Sequence, residues 1–103
     1  KDYEEALRIN PKGVSIYLSR AMILRKEGNR EGAARDLDKA IECDNASFRA
    51  YFYRAALRRE EGEFDGAIED FGKYLEFAPP EAPMRKRVEN MLRRLQNRIK
   101  RDQ

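Results

Sequence analysis

Residues 14–47, VSIYLSRAMILRKEGNREGAARDLDKAIECDNAS, and residues 48–81, FRAYFYRAALRREEGEFDGAIEDFGKYLEFAPPE, align without a gap at an offset of 34. Eleven of those 34 positions are identical, among them Tyr17/Tyr51, Arg20/Arg54, Ala21/Ala55, Gly28/Gly62, Ala33/Ala67 and Asp36/Asp70. Others keep their character, as in Ile23/Leu57, Leu37/Phe71 and Ile41/Leu75. The same offset runs back to the N-terminus, where Asp2 falls under Asp36, Leu7 under Ile41 and Pro11 under Asn45. A fixed period of this length marks stacked supersecondary units, each too small to bury its apolar face alone. The sequence is thus expected to open partway through the second half of a unit and to be a piece of a longer protein.

Within each unit the apolar period is helical. Ile16, Tyr17, Arg20, Ala21, Ile23 and Leu24 recur at the three- and four-residue steps of one helix face. Gly28-Asn29 interrupts, with Asn29 a suitable N-cap for the next helix. Ala33, Ala34, Leu37, Ala40 and Ile41 mark that second helix, Asp44-Asn45-Ala46-Ser47 breaks it, and Ser47 is placed to cap a third. The second copy follows the same grammar and ends at Pro79-Pro80, which cannot continue a helix. Helices are expected at about 1–9, 14–27, 30–43, 48–61, 64–77 and 82–100, with Pro83 in the first turn of the last. No segment reads as a strand.

Composition sets the outer bounds. Forty percent of the 103 residues are charged, yet the net charge is only +3, and Leu, Ile, Val and Phe together number 21. That apolar content lies near the level at which chains stay disordered, so the arrangement of these residues decides folding. With no His there is no imidazole base or His-ligated metal, and the single Cys43 excludes an internal disulfide and a Cys-rich zinc site. No stretch approaches the roughly 18 apolar residues of a membrane span. Residues 81–103 carry 8 positive and 3 negative side chains, whereas residues 1–80 carry 14 and 16. The basicity therefore belongs to the C-terminal segment.

This pattern resembles the tetratricopeptide repeat, a 34-residue helix–turn–helix unit, on Tyr17 and Tyr51, Ala21 and Ala55, Gly28 and Gly62, Ala33 and Ala67, Leu37 and Phe71, Ala40, and the closing Pro11 and Pro79. Tyr74 departs from it where Ala6 and Ala40 are small, and Asn45 stands in place of a closing Pro. The resemblance implies an all-α fold of antiparallel helix pairs stacked as a right-handed α-solenoid. Residues 1–13 would be the second helix of a truncated repeat, 14–47 and 48–81 complete repeats, and 82–103 a basic capping helix. Small residues at 21, 33, 55 and 67 would let paired helices approach closely. Arg20 and Arg54 occupy positions that are more usually apolar in the family, and each is followed 16 residues later by Asp36 or Asp70. Arg20–Asp36 and Arg54–Asp70 ion pairs across each hairpin are expected.

In this family the first helix of each repeat lines a concave groove that holds a peptide or partner helix. Carried over residue by residue, the groove would consist of Leu18, Ser19, Met22 and Arg25 from the first repeat, Arg49, Phe52, Tyr53 and Arg59 from the second, and Lys86 and Arg87 from the cap. Because one helix face cannot bury Tyr51, Phe52 and Tyr53 together, at least one of the latter two is expected at the surface as a binding anchor. Arg25, Arg49, Arg59, Lys86 and Arg87 would make the groove cationic and favour an acidic protein or peptide partner. The chaperone-binding carboxylate clamp of the family is not expected, because its Asn and Arg fall on Ser19 and Tyr53 and only Arg49 fits.

The function implied is non-catalytic protein–protein interaction, with no cofactor, no metal and no membrane, in a chain favoured to be monomeric. Gly28, Gly32, Gly62 and Gly66 recur with the repeat and follow no strand, so they read as turn and packing residues rather than a phosphate loop. Cys43 aligns with Ile9 and Phe77 and is expected in the core. The alternative from another class is binding of nucleic acid or another acidic surface by the C-terminal helix, although no stacking aromatic lies between Glu81 and Gln103. A third is self-association through the Met84–Ile99 apolar stripe.

Overall fold

The computed structural model describes residues 13–102, which form α1 (Val14–Lys26), α2 (Arg30–Cys43), α3 (Phe48–Glu60), α4 (Phe64–Phe77) and α5 (Arg85–Asp102), with no strand among them. The expected helix at 1–9, and with it the truncated repeat at 1–13, falls almost wholly outside the described residues. Four of the expected helices stand within a residue of their boundaries. The last does not: it begins at Arg85 rather than 82. Pro83 instead occupies a turn closed by Arg85 N–H donating to Ala82 O at 3.1 Å, a position its fixed φ suits.

The repeated Gly ends α1 and α3 in the same way. Gly28 and Gly62 adopt φ of +88° and +80°. The next N–H then folds back five residues: Asn29 donates to Leu24 O and Glu63 to Arg58 O, each at 2.8 Å. This is the glycine-dependent Schellman closure, and it turns the chain directly into the second helix of the pair. Asn29 caps α2 by accepting from Gly32 N–H at 2.9 Å, and Ser47 caps α3 through Ala50 N–H at 3.4 Å. Glu63, aligned with Asn29, gives α4 no side-chain cap.

Packing is sequential. Helix α1 lies against α2, α2 against α3, α3 against α4, and α4 against α5. The principal extents of 47 × 30 × 20 Å leave a thickness of about two helix diameters. Ala33, Ala40, Ala50, Ala55 and Ala67 are fully buried, because helix backbones this close admit nothing larger. One apolar cluster joins Ala21, Ala33 and Leu37 of the first pair to Leu57 of α3. A second joins Ala55, Phe71, Tyr74 and Ala78 to Val88 and Leu95 of α5. Tyr74, the departure from the repeat pattern, is 3% exposed and packs edge-on against Phe48 with ring centroids 5.6 Å apart. Ile23 is 41% exposed whereas its counterpart Leu57 is 1% exposed, since Leu57 faces the preceding helix pair. Cys43, expected in the core, is only half-buried, because it sits in the last turn of α2.

The two expected ion pairs are present, and both are bidentate. Arg20 Nε and Nη2 donate to the Asp36 oxygens at 2.7 Å each. Arg54 Nε and Nη2 donate to Asp70 at 2.9 and 3.0 Å. The second pair is elaborated by Arg58 Nη1, which also donates to Asp70 at 3.1 Å, and by Arg54 Nη1, which donates across the repeat boundary to Asp38 of α2 at 3.0 Å. These bonds hold the Arg54 guanidinium above its ordinary pKa, with Asp70 the main cause. Among the described residues no buried side-chain nitrogen or oxygen lacks a partner.

Candidate functional site

The first helices of the two pairs, α1 and α3, run side by side, and the surface between them is the candidate site. Leu18, Ser19 and Met22 project from α1 at helical spacing, while Arg49 and Tyr53 project from α3 one turn apart. Together with Ser47 they line an open depression of about 500 Å³. Arg49 and Tyr53 are also the near wall of a second depression of about 470 Å³, whose floor is Phe48, Phe52, Tyr74 and Met84. The two depressions thus share one ridge, giving a continuous surface along α1, α3 and the 79–84 turn. Arg49 is exposed, its guanidinium carbon 5.1 Å from the Phe48 ring centroid.

The aromatic triplet is distributed differently from the expectation. Tyr51 is buried, stacked on Phe77 at 5.8 Å, and its hydroxyl donates to Asn45 O at 2.9 Å. Phe52 and Tyr53 are both half-buried, and neither is exposed. Phe52 packs toward α4, with Phe71 and Tyr74 centroids at 6.2 and 5.8 Å, while Tyr53 leans on the apolar cluster of the first pair. Helix α3 has neighbours on several sides, so three consecutive residues find three different surroundings.

The cationic groove is also thinner than expected. Arg25 donates from Nε and Nη2 to both oxygens of Glu60, tying α1 to α3, and Arg30 stands 3.7 Å from the same carboxylate. The Arg25 hydrogen bonds hold the Glu60 carboxyl below its ordinary range against the opposing effect of burial, with Arg30 and Arg59 adding to the lowering. Arg25 is raised in turn by the same bonds. Arg59 points away from this surface and donates to Met91 Sδ of α5 at 3.0 Å. Lys86 and Arg87 are exposed on α5 and line neither depression. Of the ten candidate residues, the structure brings together Leu18, Ser19, Met22, Arg49, Phe52 and Tyr53, and Arg25 adjoins them in a further depression that shares Met22. Tyr74, Pro83 and Met84 join them unforeseen, although the Tyr74 departure and the proline-rich 79–83 segment were the available signals. Among the described residues no group of three His, Cys, Asp or Glu could hold a metal ion, and no helix is long and apolar enough to cross a membrane.

Paired antiparallel helices recurring at 34 residues define an α-helical repeat solenoid. The sequence profile of the tetratricopeptide repeat matches residues 14–47. Residues 14–47 are thus matched as one tetratricopeptide repeat, and the described helices share the fold of solved tetratricopeptide-repeat structures. No curated protein sequence gives a significant match. Solved structures with the same fold include the Arabidopsis OM64 TPR domain, with a TM-score of 0.77 and 27% identity over 89% of this chain and 75% of that one. The TPR2B domain of yeast Sti1, in complex with pHsp70, has a TM-score of 0.82 and 22% identity over 93% of this chain and 78% of that one. The Yersinia enterocolitica type III secretion chaperone SycD, in complex with a peptide of the translocator YopD, has a TM-score of 0.84 and 15% identity over 93% of this chain and 76% of that one.

Proposed function

We propose that this chain is a non-catalytic protein-interaction module that holds a segment of a partner protein along α1 and α3. The observation that carries this reading is the pair of depressions sharing the Arg49–Tyr53 ridge, one lined largely by polar side chains and the other floored by Phe48, Phe52, Tyr74 and Met84. The complexes of the Sti1 domain and of SycD, one of them with a translocator peptide, support a peptide occupant. Residues 14–47 and 48–81 act as the two recognition repeats. Residues 82–103 close the stack, with Val88 and Leu95 sealing its apolar end. Arg49 is the cation on the surface that favours an acidic side chain or carboxylate in the partner. Half-buried Phe52 and Tyr53 shape the floor.

The test is selection from a random peptide display library on the immobilised chain, followed by affinity measurement of enriched sequences. Ser19 and Arg49 are exposed, so Ser19→Arg and Arg49→Glu should leave the melting temperature unchanged. Each is expected to weaken the selected peptides about tenfold or more. Peptides that bind both variants as tightly as the wild type would place recognition elsewhere.

A further inference from the structure

A second surface lies apart from the α1–α3 groove, where the C-terminal end of α3 and the first turn of α4 meet the distal half of α5. Arg59, Arg94, Arg98 and Arg101 rim a depression of about 510 Å³ whose floor includes Phe64, Met91 and Leu95. Arg94, Arg98 and Arg101 recur at four- and three-residue steps, so one stripe of α5 presents all three. The floor is continuous with the core: Leu95 is 5% exposed, and Phe64 and Met91 are half-buried.

The arginines at this rim differ from those elsewhere in how they are partnered. Arg20, Arg25, Arg54 and Arg58 each meet a carboxylate. Among the described residues, none of the four rim arginines does. Arg59 donates to a thioether sulfur, a weak acceptor, and Arg98 lies 4.6 Å from the Phe64 ring centroid. Arg59 contributes to lowering the Glu60 carboxyl, but that carboxylate is already held by Arg25 and Arg30. Four like charges around one depression repel one another, and an anionic occupant relieves that repulsion.

We propose that this depression docks an acidic peptide segment that carries a large apolar residue. The rim supplies the charge complement, and the Phe64–Met91–Leu95 floor takes the apolar side chain. From Arg94 to Arg101 α5 rises about 10 Å, the span of roughly three residues of extended peptide. A nucleic-acid strand fits less well. Arg98 already covers the Phe64 ring, which leaves no open stacking platform, and the cations converge on one pit instead of tracking along a backbone.

The probe is a short fluorescein-labelled peptide with acidic residues flanking a central Phe, titrated into the whole chain and read by anisotropy. Arg94 and Arg101 are exposed, so Arg94→Glu/Arg101→Glu should fold normally, and Arg94→Gln/Arg101→Gln removes the charge without reversing it. Saturable binding is expected, about tenfold or more weaker in the Glu variant and weaker also in the Gln variant. It should fall by a similar factor when the probe's Phe is replaced by Ala, and be indifferent to Arg49→Glu, which separates this site from the α1–α3 groove. Equal binding by the arginine variants would overturn the proposal. So would equal binding by the Ala probe, or tighter binding by a single-stranded oligonucleotide.

Discussion

Replacing Asp70 by Ala removes the acceptor on which two arginines converge. The Asp70 side chain is 1% exposed and receives three charge-assisted hydrogen bonds, two from Arg54 and one from Arg58. Removing one partner of a fully buried ion pair costs about 3–5 kcal/mol, because a desolvated charge is stranded. Here the arginine side chains keep 20% and 30% of their surface in water, and Arg54 retains Asp38, so part of that loss is recovered. The expected cost is about 3 kcal/mol. For a chain of roughly 100 residues that lowers the melting temperature by ~12–24 °C. Asp36→Ala, with Arg20 at 28% exposure and two bonds lost, should cost less, about 2 kcal/mol. The assay is thermal and urea unfolding followed by far-ultraviolet circular dichroism, with Arg54→Met/Asp70→Leu completing the comparison. Removing the Arg54–Asp70 pair together should restore part of the stability, the rest being the bond that Arg58 loses with Asp70. A loss of less than about 1 kcal/mol in Asp70→Ala would refute the reasoning, since that is the behaviour of a solvated surface pair.

Two further outcomes follow from the turn and the groove. Gly62→Ala leaves the added Cβ with nothing within 4 Å, so its whole effect is the φ of +80°, an expected loss of about 1–2 kcal/mol in urea unfolding, with Gly62→Asn losing less. The Glu60 carboxyl is held below its ordinary value of 4.5 by Arg25, so the folded chain binds fewer protons there than the unfolded one. Its stabilisation is complete above pH 4.5 and lost as pH falls toward the lowered folded value. Being partly exposed, it should amount to less than about 1 kcal/mol, and comparing acid titrations of wild type and Glu60→Gln, which lacks this pH dependence, checks it.

What was legible in the sequence was whatever recurs within one helix pair. The Arg20–Asp36 and Arg54–Asp70 pairs could be anticipated because a 16-residue spacing inside a hairpin occurs twice. Asn29 and Ser47 could be read as caps because capping is a local hydrogen bond. Contacts between pairs were not legible. Arg58 aligns with Leu24, so nothing in the period announces that it joins Asp70. Arg25 meets Glu60 at a separation of 35 residues, a match visible only once α1 and α3 lie side by side. That contact removed a cation from the expected groove. The exposed anchor expected among Phe52 and Tyr53 failed for the same reason. The argument from one helix face assumed a single packing direction, whereas α3 is packed from both sides of the stack.

The clasp between Arg54 and Asp38 also has a counterpart that is missing. One repeat further along, the equivalent positions are Val88, which is fully buried, and Gly72, which has no side chain to offer. The internal boundary therefore adds to its apolar contact through Leu57 an ion pair whose Asp38 side chain is 56% exposed, while the boundary with α5 has no equivalent of that pair. Solvent acts differently on the ion pair and on the apolar contact. Sodium chloride screens the first, whereas sulfate strengthens the second and cooling loosens it. The medium therefore sets how the two boundaries compare: salt removes the added ion pair of the internal boundary, whereas the boundary with α5 has no such pair to lose.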